Sequence, residues 1–231
     1  MSIDLGRRQV ALGLGGLLLF PTLARSAQGA IEKPQITIAV GGKAVLYYLP
    51  LTLAERLGYF KAEGLDVTVP DFAGGAKALQ ALVGGSADIA SGSFEHVINM
   101  HSKGRPLQAL VLQARLPAIV LAMPKARAAK YKSPKDLRGL KIGVTAPGSS
   151  TNMFVSNLLA KVGLHDEDVS IIGVGTGAGA IAAITRGDID ALANLDPVIS
   201  RLEASGAIVA VVDTRTNKGA MYVYGGAYHA S

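Results

Sequence analysis

Residues 74–90 read GGAKALQALVGGSADIA, and their order decides the fold. The pair Gly74-Gly75 opens a helix pattern carrying Leu79, Leu82 and Val83, and a second pair, Gly84-Gly85, closes it. Residues 88–90 follow as a short strand. The same order returns 102 residues later, where Ala81, Gly85 and Asp88 become Ala183, Gly187 and Asp190, and Val67 becomes Val169. Leu53 and Gly58 return as Leu158 and Gly163 at a shift of 105. Pieces repeated in one strand–loop–helix order predict two similarly built lobes.

Working outward, strand and helix patterns alternate along the chain, which predicts an α/β fold with a mostly parallel sheet. Residues 36–40 and 67–69 read as strands. Between them, Leu49, Leu53 and Leu57 mark one helix face, with Pro50 in the first turn and Gly58 at the end. Ser93 is placed to cap a helix ending near Gly104, and residues 107–112 and 118–123 read as further apolar strands. In the second half, Ser133-Pro134 open a short helix before a strand at 141–144. A helix striped by Phe154, Leu158 and Val162 follows, then a strand at 169–174 and a helix from 177–179 to Gly187. The first lobe is expected at 34–123 and the second at 124–220, with the boundary between Met123 and Ser133. Residues 221–231 are expected to return as a strand toward the first lobe.

The chain has 231 residues, 49% hydrophobic and 17% charged, which excludes a disordered chain. Without Cys it has no disulfide, Cys-ligated zinc, iron–sulfur cluster or thiol nucleophile. Mean hydropathy is +0.34, yet the longest apolar run, residues 10–20, falls well short of the ~20 residues of a membrane helix. Arg7-Arg8 precede that run, and Pro21 and the small residues 24–27 follow it, as in an export signal over residues 1–26. Cleavage is expected after Ser26, or else after Gly29. The paired arginines fit twin-arginine export, while Gly6 and the lack of a following Lys keep Sec export open. The formal charge of +6 comes without interleaved aromatics or a nucleic-acid-binding motif, so no nucleic-acid partner is expected. The basic residues Lys125, Arg127, Lys130, Lys132, Lys135, Arg138 and Lys141 read as a solvated face.

The catalytic inventory is thin. No pair among His96, His101, His165 and His229 has the spacing of a zinc-protease helix, and there is no G-x-S-x-G elbow. Ser91 and Ser93 beside Glu95 and His96 read as a helix cap near a histidine. Gly173 to Gly179 half-matches a dinucleotide loop but lacks its third glycine. No cofactor or metal is expected. What recurs is a polar or glycine-rich turn after a strand and before a helix: 41–48, 73–75, 91–93, 147–151, 175–177 and 194–197. Ligands of open parallel sheets bind outside the carboxyl ends of strands, and helix starts attract anions. Turns from two facing lobes make a cleft.

The export signal, the lobes, residues 48–51 and 57–61, residues 85–90, and residues 136–144 and 147–151 together resemble a known family. These are the periplasmic solute-binding proteins of ABC importers, in the nitrate/sulfonate/taurine group with its relatives that handle thiamine-pyrimidine precursors. The resemblance implies a type II periplasmic-binding-protein fold, and capture of a small polar or anionic solute between the lobes. It also implies delivery to an inner-membrane permease driven by a separate ATPase, by a monomeric periplasmic protein that is not an enzyme. It places Lys43, Tyr47, Tyr48, Ser91 and Ser93 at the ligand from the first lobe, where the turn at 73–75 adds Gly74 and Gly75. Ser149, Ser150, Thr151 and Asp196 come from the second, with Asp196 meeting a cationic ligand group or Lys43. Family members continue into helices that cover the first lobe, so a truncated member with an incomplete first lobe is expected. The alternatives are an enzyme on the same scaffold, using His96 or Asp196, and a ligand-sensing domain.

Overall fold

The structure is a computed structural model that describes residues 31–224. The expected export segment lies outside the described residues. The described residues from Gln35 to Tyr224 form one compact unit. It begins with β1 (Gln35–Val40), α1 (Leu49–Arg56), α2 (Tyr59–Ala62), β2 (Asp66–Thr68), α3 (Gly75–Val83), β3 (Ile89–Ser91) and α4 (Glu95–Ser102). It continues through β4 (Val120–Pro124), α5 (Lys125–Ala128), β5 (Lys141–Val144), α6 (Ser150–Ala160), β6 (Ser170–Gly173), α7 (Ala178–Arg186), β7 (Ala191–Asn194), α8 (Val198–Ala204), β8 (Ile208–Asp213) and α9 (Asn217–Tyr224).

Among the described residues there are two sheets, ordered β2-β1-β3 and β6-β5-β7-β4-β8. The first is parallel throughout, and β6-β5-β7 repeats its arrangement in the second. The repeated aspartates hold equivalent posts. Asp88 accepts the Thr37 N–H at 2.9 Å, and its own N–H donates to Thr37 C=O at 2.9 Å, one residue before β1 starts to pair with β3. Asp190 does the same to Lys141 at the start of β5, at 2.9 and 2.8 Å. Each carboxylate satisfies a backbone N–H just before the ladder to the next strand, β3 or β7, begins.

The larger sheet is covered on both faces. Phe154, Leu158 and Leu159 of α6 and Val223 of α9 pack with Ile142 and Val144. Ala180 and Ile184 of α7 and Ile199 and Leu202 of α8 pack with Val120 and Leu192 on the other side. In the smaller lobe Ile38, Val40, Val45, Tyr48 and Leu51 form one cluster, and Ala39, Ala78, Ala81 and Ala87 the other.

Several expectations change. The 118–123 strand forms, but as β4, antiparallel to β7 and β8 in the second sheet, so the chain crosses between lobes before residue 120 and not after Met123. Residues 107–112 form no strand, and Leu110, Val111 and Leu112 are exposed; no neighbouring strand accepts their backbone groups among the described residues. Of the expected returning strand at 221–231, residues 221–224 instead end helix α9, with Ala220 and Val223 buried at the i, i+3 spacing of a helix, and residues 225–231 lie outside the described residues. The helix face of Leu49, Leu53 and Leu57 is formed but exposed, and Leu51 is buried instead. The basic stretch is at the surface, where Arg127 pairs with Asp190 and Arg138 with Asp168.

Candidate functional site

The turns after β1, β3, β5 and β7 meet around one cavity, as the carboxyl-end rule requires. Gly41, Val45, Tyr47 and Tyr48 enter from the β1–α1 turn, Gly75 from the first turn of α3, and Ser93 from the β3–α4 turn. The second sheet supplies Thr145 after β5, Ser150 at the start of α6, and Leu195 after β7, while Pro117 and Ile119 come from the crossover. Between the last two, Ala118 sits at φ 54, a left-handed conformation that costs a non-glycine residue ~1–2 kcal/mol. The cavity is small, about 20 Å³, on a scale where one water needs ~10–15 Å³.

The first-lobe wall is built by close backbone approach. A Cβ on Gly41 would stand 2.3 Å from the Gly75 backbone nitrogen, so only glycine lets the end of β1 meet the start of α3. Asp71 shapes the next turn by accepting the N–H groups of Gly42 and Lys43 at 2.9 and 2.8 Å. Tyr47 and Tyr48 pack edge to face, centroids 5.2 Å apart. Burial, then the neighbouring Tyr47 and Asp71, pushes the Tyr48 hydroxyl far above its ordinary range, so it stays a neutral donor.

The lobes touch. Ala76 N–H donates to Ser149 Oγ at 2.9 Å, Leu46 N–H to Asp196 C=O at 3.0 Å, and Gly74 lies against Thr145, Ala146 and Ser149.

Of the expected site residues, Tyr47, Tyr48, Gly75, Ser93 and Ser150 line the cavity. Gly74 forms the lobe contact beside it. The others have different work. Lys43 Nζ pairs with the Glu55 carboxylate at 2.6 and 2.8 Å, not with Asp196. Asp196 caps α8 by accepting from Ser200 N–H and Oγ at 2.9 and 2.6 Å, and faces Arg215 at 3.5 Å. Ser91 accepts from Gln113 Nε2, and Thr151 Oγ1 bonds Thr145. Ser93 is not a side-chain cap of α4, whose N-cap is Phe94. Leu195 falls in the expected 194–197 turn, whereas Thr145, Pro117 and Ile119 were not legible as site residues, because strand-end and crossover positions of ordinary composition carry no local signal.

The resulting wall is neutral: hydroxyls of Tyr47, Tyr48, Ser93, Thr145 and Ser150, two helix starts from opposite lobes, and no ionic side chain among its lining residues. Among the described residues no group of three acidic or histidine side chains could hold a metal ion, and no helix is long and apolar enough to cross a membrane.

Comparison with known proteins places this architecture. The model of the family described as NMT1/THI5 like matches residues 46–221. The chain belongs to that family. A solved protein from Bordetella bronchiseptica RB50 is 57% identical with a TM-score of 0.80, over 84% of this chain and 61% of that one. The alkanesulfonate-binding protein SsuA from Xanthomonas axonopodis pv. citri, solved bound to MOPS, is 27% identical with a TM-score of 0.62, over 80% of this chain and 62% of its own. The 4-amino-5-hydroxymethyl-2-methylpyrimidine phosphate synthase of Schizosaccharomyces pombe is 25% identical over 156 residues, 68% of this chain and 43% of the synthase. This NMT1/THI5-like chain thus has the periplasmic-binding-protein fold, and it spans under two-thirds of the length of these three relatives.

Proposed function

We propose that this NMT1/THI5-like chain is the solute-binding component of an ABC importer, and that it captures a small oxyanion-headed solute of the sulfonate class between its lobes. One observation carries the reading: the first residues of α3 and α6, Gly75 and Ser150, come from opposite lobes and face one neutral, hydroxyl-lined cavity. Backbone N–H groups at two helix starts bind an oxyanion without a cationic side chain, the dipole alone contributing ~0.3–1 kcal/mol at each. The likeness to a sulfonate-binding protein supports that head group. In this reading the protein is exported by its N-terminal segment and works in the periplasm beside a permease.

Because the closed cavity has room for about one water, the lobes part to admit a solute and then close on it. The testing experiment is calorimetric titration of the full chain with ethanesulfonate, nitrate, bicarbonate and a pyrimidine. One equivalent of ethanesulfonate binding saturably is the expected result. Binding of the pyrimidine alone, or of none, contradicts it.

A second reading, an enzyme on the same scaffold, draws on the synthase relative. Asp196, one of the two groups it would use, is engaged in capping α8, which leaves His96. Product formation from a pyrimidine precursor, lost in His96→Ala, would favour this reading over capture.

A further inference from the structure

His96 is the only buried histidine among the described residues, 5% exposed, and neither of its ring nitrogens has a hydrogen-bond partner. A buried imidazole of the core is normally satisfied on at least one side, so this one needs an explanation. Its place supplies one. His96 follows Ser93, a cavity residue whose C=O accepts the His96 N–H at 3.1 Å. Its Nε2 is directed at Gly75, where an added Cβ would meet it at 3.0 Å. Gly75 is both a cavity residue and the first residue of α3, a nine-residue helix without a side-chain cap. A helix start and an unpartnered buried imidazole therefore share one corner of the site.

We propose that capture of an oxyanion in this cleft draws a proton onto His96, so that solute affinity rises as the pH falls. The inference rests on the oxyanion reading above. Without solute, a charged imidazole here would be a buried cation lacking a counter-ion, so the neutral form is favoured. Burial alone holds its pKa below the ordinary 6.5. An oxyanion at the α3 start supplies the counter-charge and accepts a charge-assisted hydrogen bond. The surrounding elements do not do this in its place. On α3 the titratable group is Lys77, which is exposed and donates to Gln80. The packed helix α6 carries none. On α4 itself Glu95 is engaged with the Tyr224 hydroxyl and faces Tyr47, and His101 lies exposed in the last turn.

The test is calorimetric titration of the full chain with ethanesulfonate, whose own charge is constant, between pH 5.5 and 8.5. Repeating it at one pH in two buffers of different ionisation enthalpy counts the protons taken up. An opposite charge within ~4–6 Å raises a pKa by ~1–3 units, so affinity should fall from pH 5.5 to 8.5, by about tenfold for each unit of that rise lying within the range. His96→Gln should bind with no such slope. NMR titration of the wild-type imidazole, with and without ethanesulfonate, needs no variant, and its pKa should rise on binding. A flat wild-type profile, an unchanged slope in His96→Gln, or an imidazole pKa indifferent to ethanesulfonate overturns the proton coupling while leaving oxyanion capture standing. Absence of ethanesulfonate binding at every pH overturns capture itself, and the coupling with it.

Discussion

Ser149 Oγ accepts the Ala76 N–H at 2.9 Å across 73 residues of sequence, and this one bond ties the helix start of one lobe to the helix start of the other. With the Leu46–Asp196 bond it joins the two lobes across the closed cleft. The Gly75 and Ser150 N–H groups proposed to grip an oxyanion stand one residue from Ala76 and Ser149, so the empty closed arrangement competes with entry of the solute.

A covalent lock tests that competition. A Cβ at residue 148 would lie 3.8 Å from the Ala76 Cβ, the usual separation in a disulfide at ~3.8 Å. The chain has no Cys of its own, so the pair Ala76→Cys with Gly148→Cys forms only the intended bridge. The φ of +78 at Gly148 costs the new side chain ~1–2 kcal/mol. Oxidised protein should bind ethanesulfonate at least tenfold more weakly than the same protein after reduction. Equal affinity in the two states would show that the lobes need not part.

Gly41→Ala addresses the first-lobe wall. The added methyl would collide with the Gly75 nitrogen at 2.3 Å, and the collision displaces the start of α3. Overpacking of this kind costs ~1–3 kcal/mol, seen as a lower denaturant midpoint. Ethanesulfonate affinity should fall with it, since the displaced N–H groups are the proposed anion donors.

The paired aspartates give a prediction about the repeat. Asp88→Ala and Asp190→Ala each remove a carboxylate that satisfies a backbone N–H. A charge-assisted bond of this type is worth ~1.5–3 kcal/mol, less where exposed. Both substitutions should therefore lower stability, and Asp190→Ala also releases Arg127, which Asp190 pairs at 2.6 Å. Urea unfolding of the two variants checks both losses.

That correspondence is also where the sequence was most informative. The spacing of Asp88 and Asp190 was legible because this backbone capping is a device repeated with its surroundings. The Leu49, Leu53 and Leu57 stripe shows the opposite case. Periodicity correctly located a helix face, yet it carries no information on what lies against that face, and these residues are 46%, 45% and 60% exposed. The crossover of β4 into the second sheet was hidden for a related reason, since strand order is set by long-range pairing. At the site, the glycine-rich turns were readable from their position before helices. The Ser149–Ala76 bond is not readable in the sequence, because the two residues are 73 positions apart. Thr145 was missed because a residue at a strand end looks like any other strand residue.

The exposed stripe gives a quantitative contrast. Leu53→Gln should change stability by no more than about 0.5 kcal/mol, as surface substitutions do. Phe154→Ala, at a fully buried position of the main core, should cost ~3–5 kcal/mol. Similar losses at the two positions would mean that the stripe is covered.

Arg215 predicts an acid sensitivity. It bonds the carboxylates of Asp213 and Glu203 at 2.8 to 3.1 Å and faces Asp196 at 3.5 Å. Burial pushes the Asp213 carboxyl up, but the bonds from Arg215 outweigh it and hold the pKa below the ordinary 3.8. A depressed folded-state pKa contributes stability above the unfolded value, lost as pH falls through the folded one. Arg215→Met should therefore lower the melting temperature at pH 7 and narrow its gap to wild type below about pH 4. A gap independent of pH would remove the carboxylates from the account.

The most direct measurement is a crystal structure of the full chain with ethanesulfonate. The sulfonate oxygens should lie within hydrogen-bond distance of the Gly75 and Ser150 N–H groups, between the two lobes. A sulfonate bound elsewhere, or a cleft still closed by the Ala76–Ser149 bond with no solute inside it, would contradict oxyanion capture.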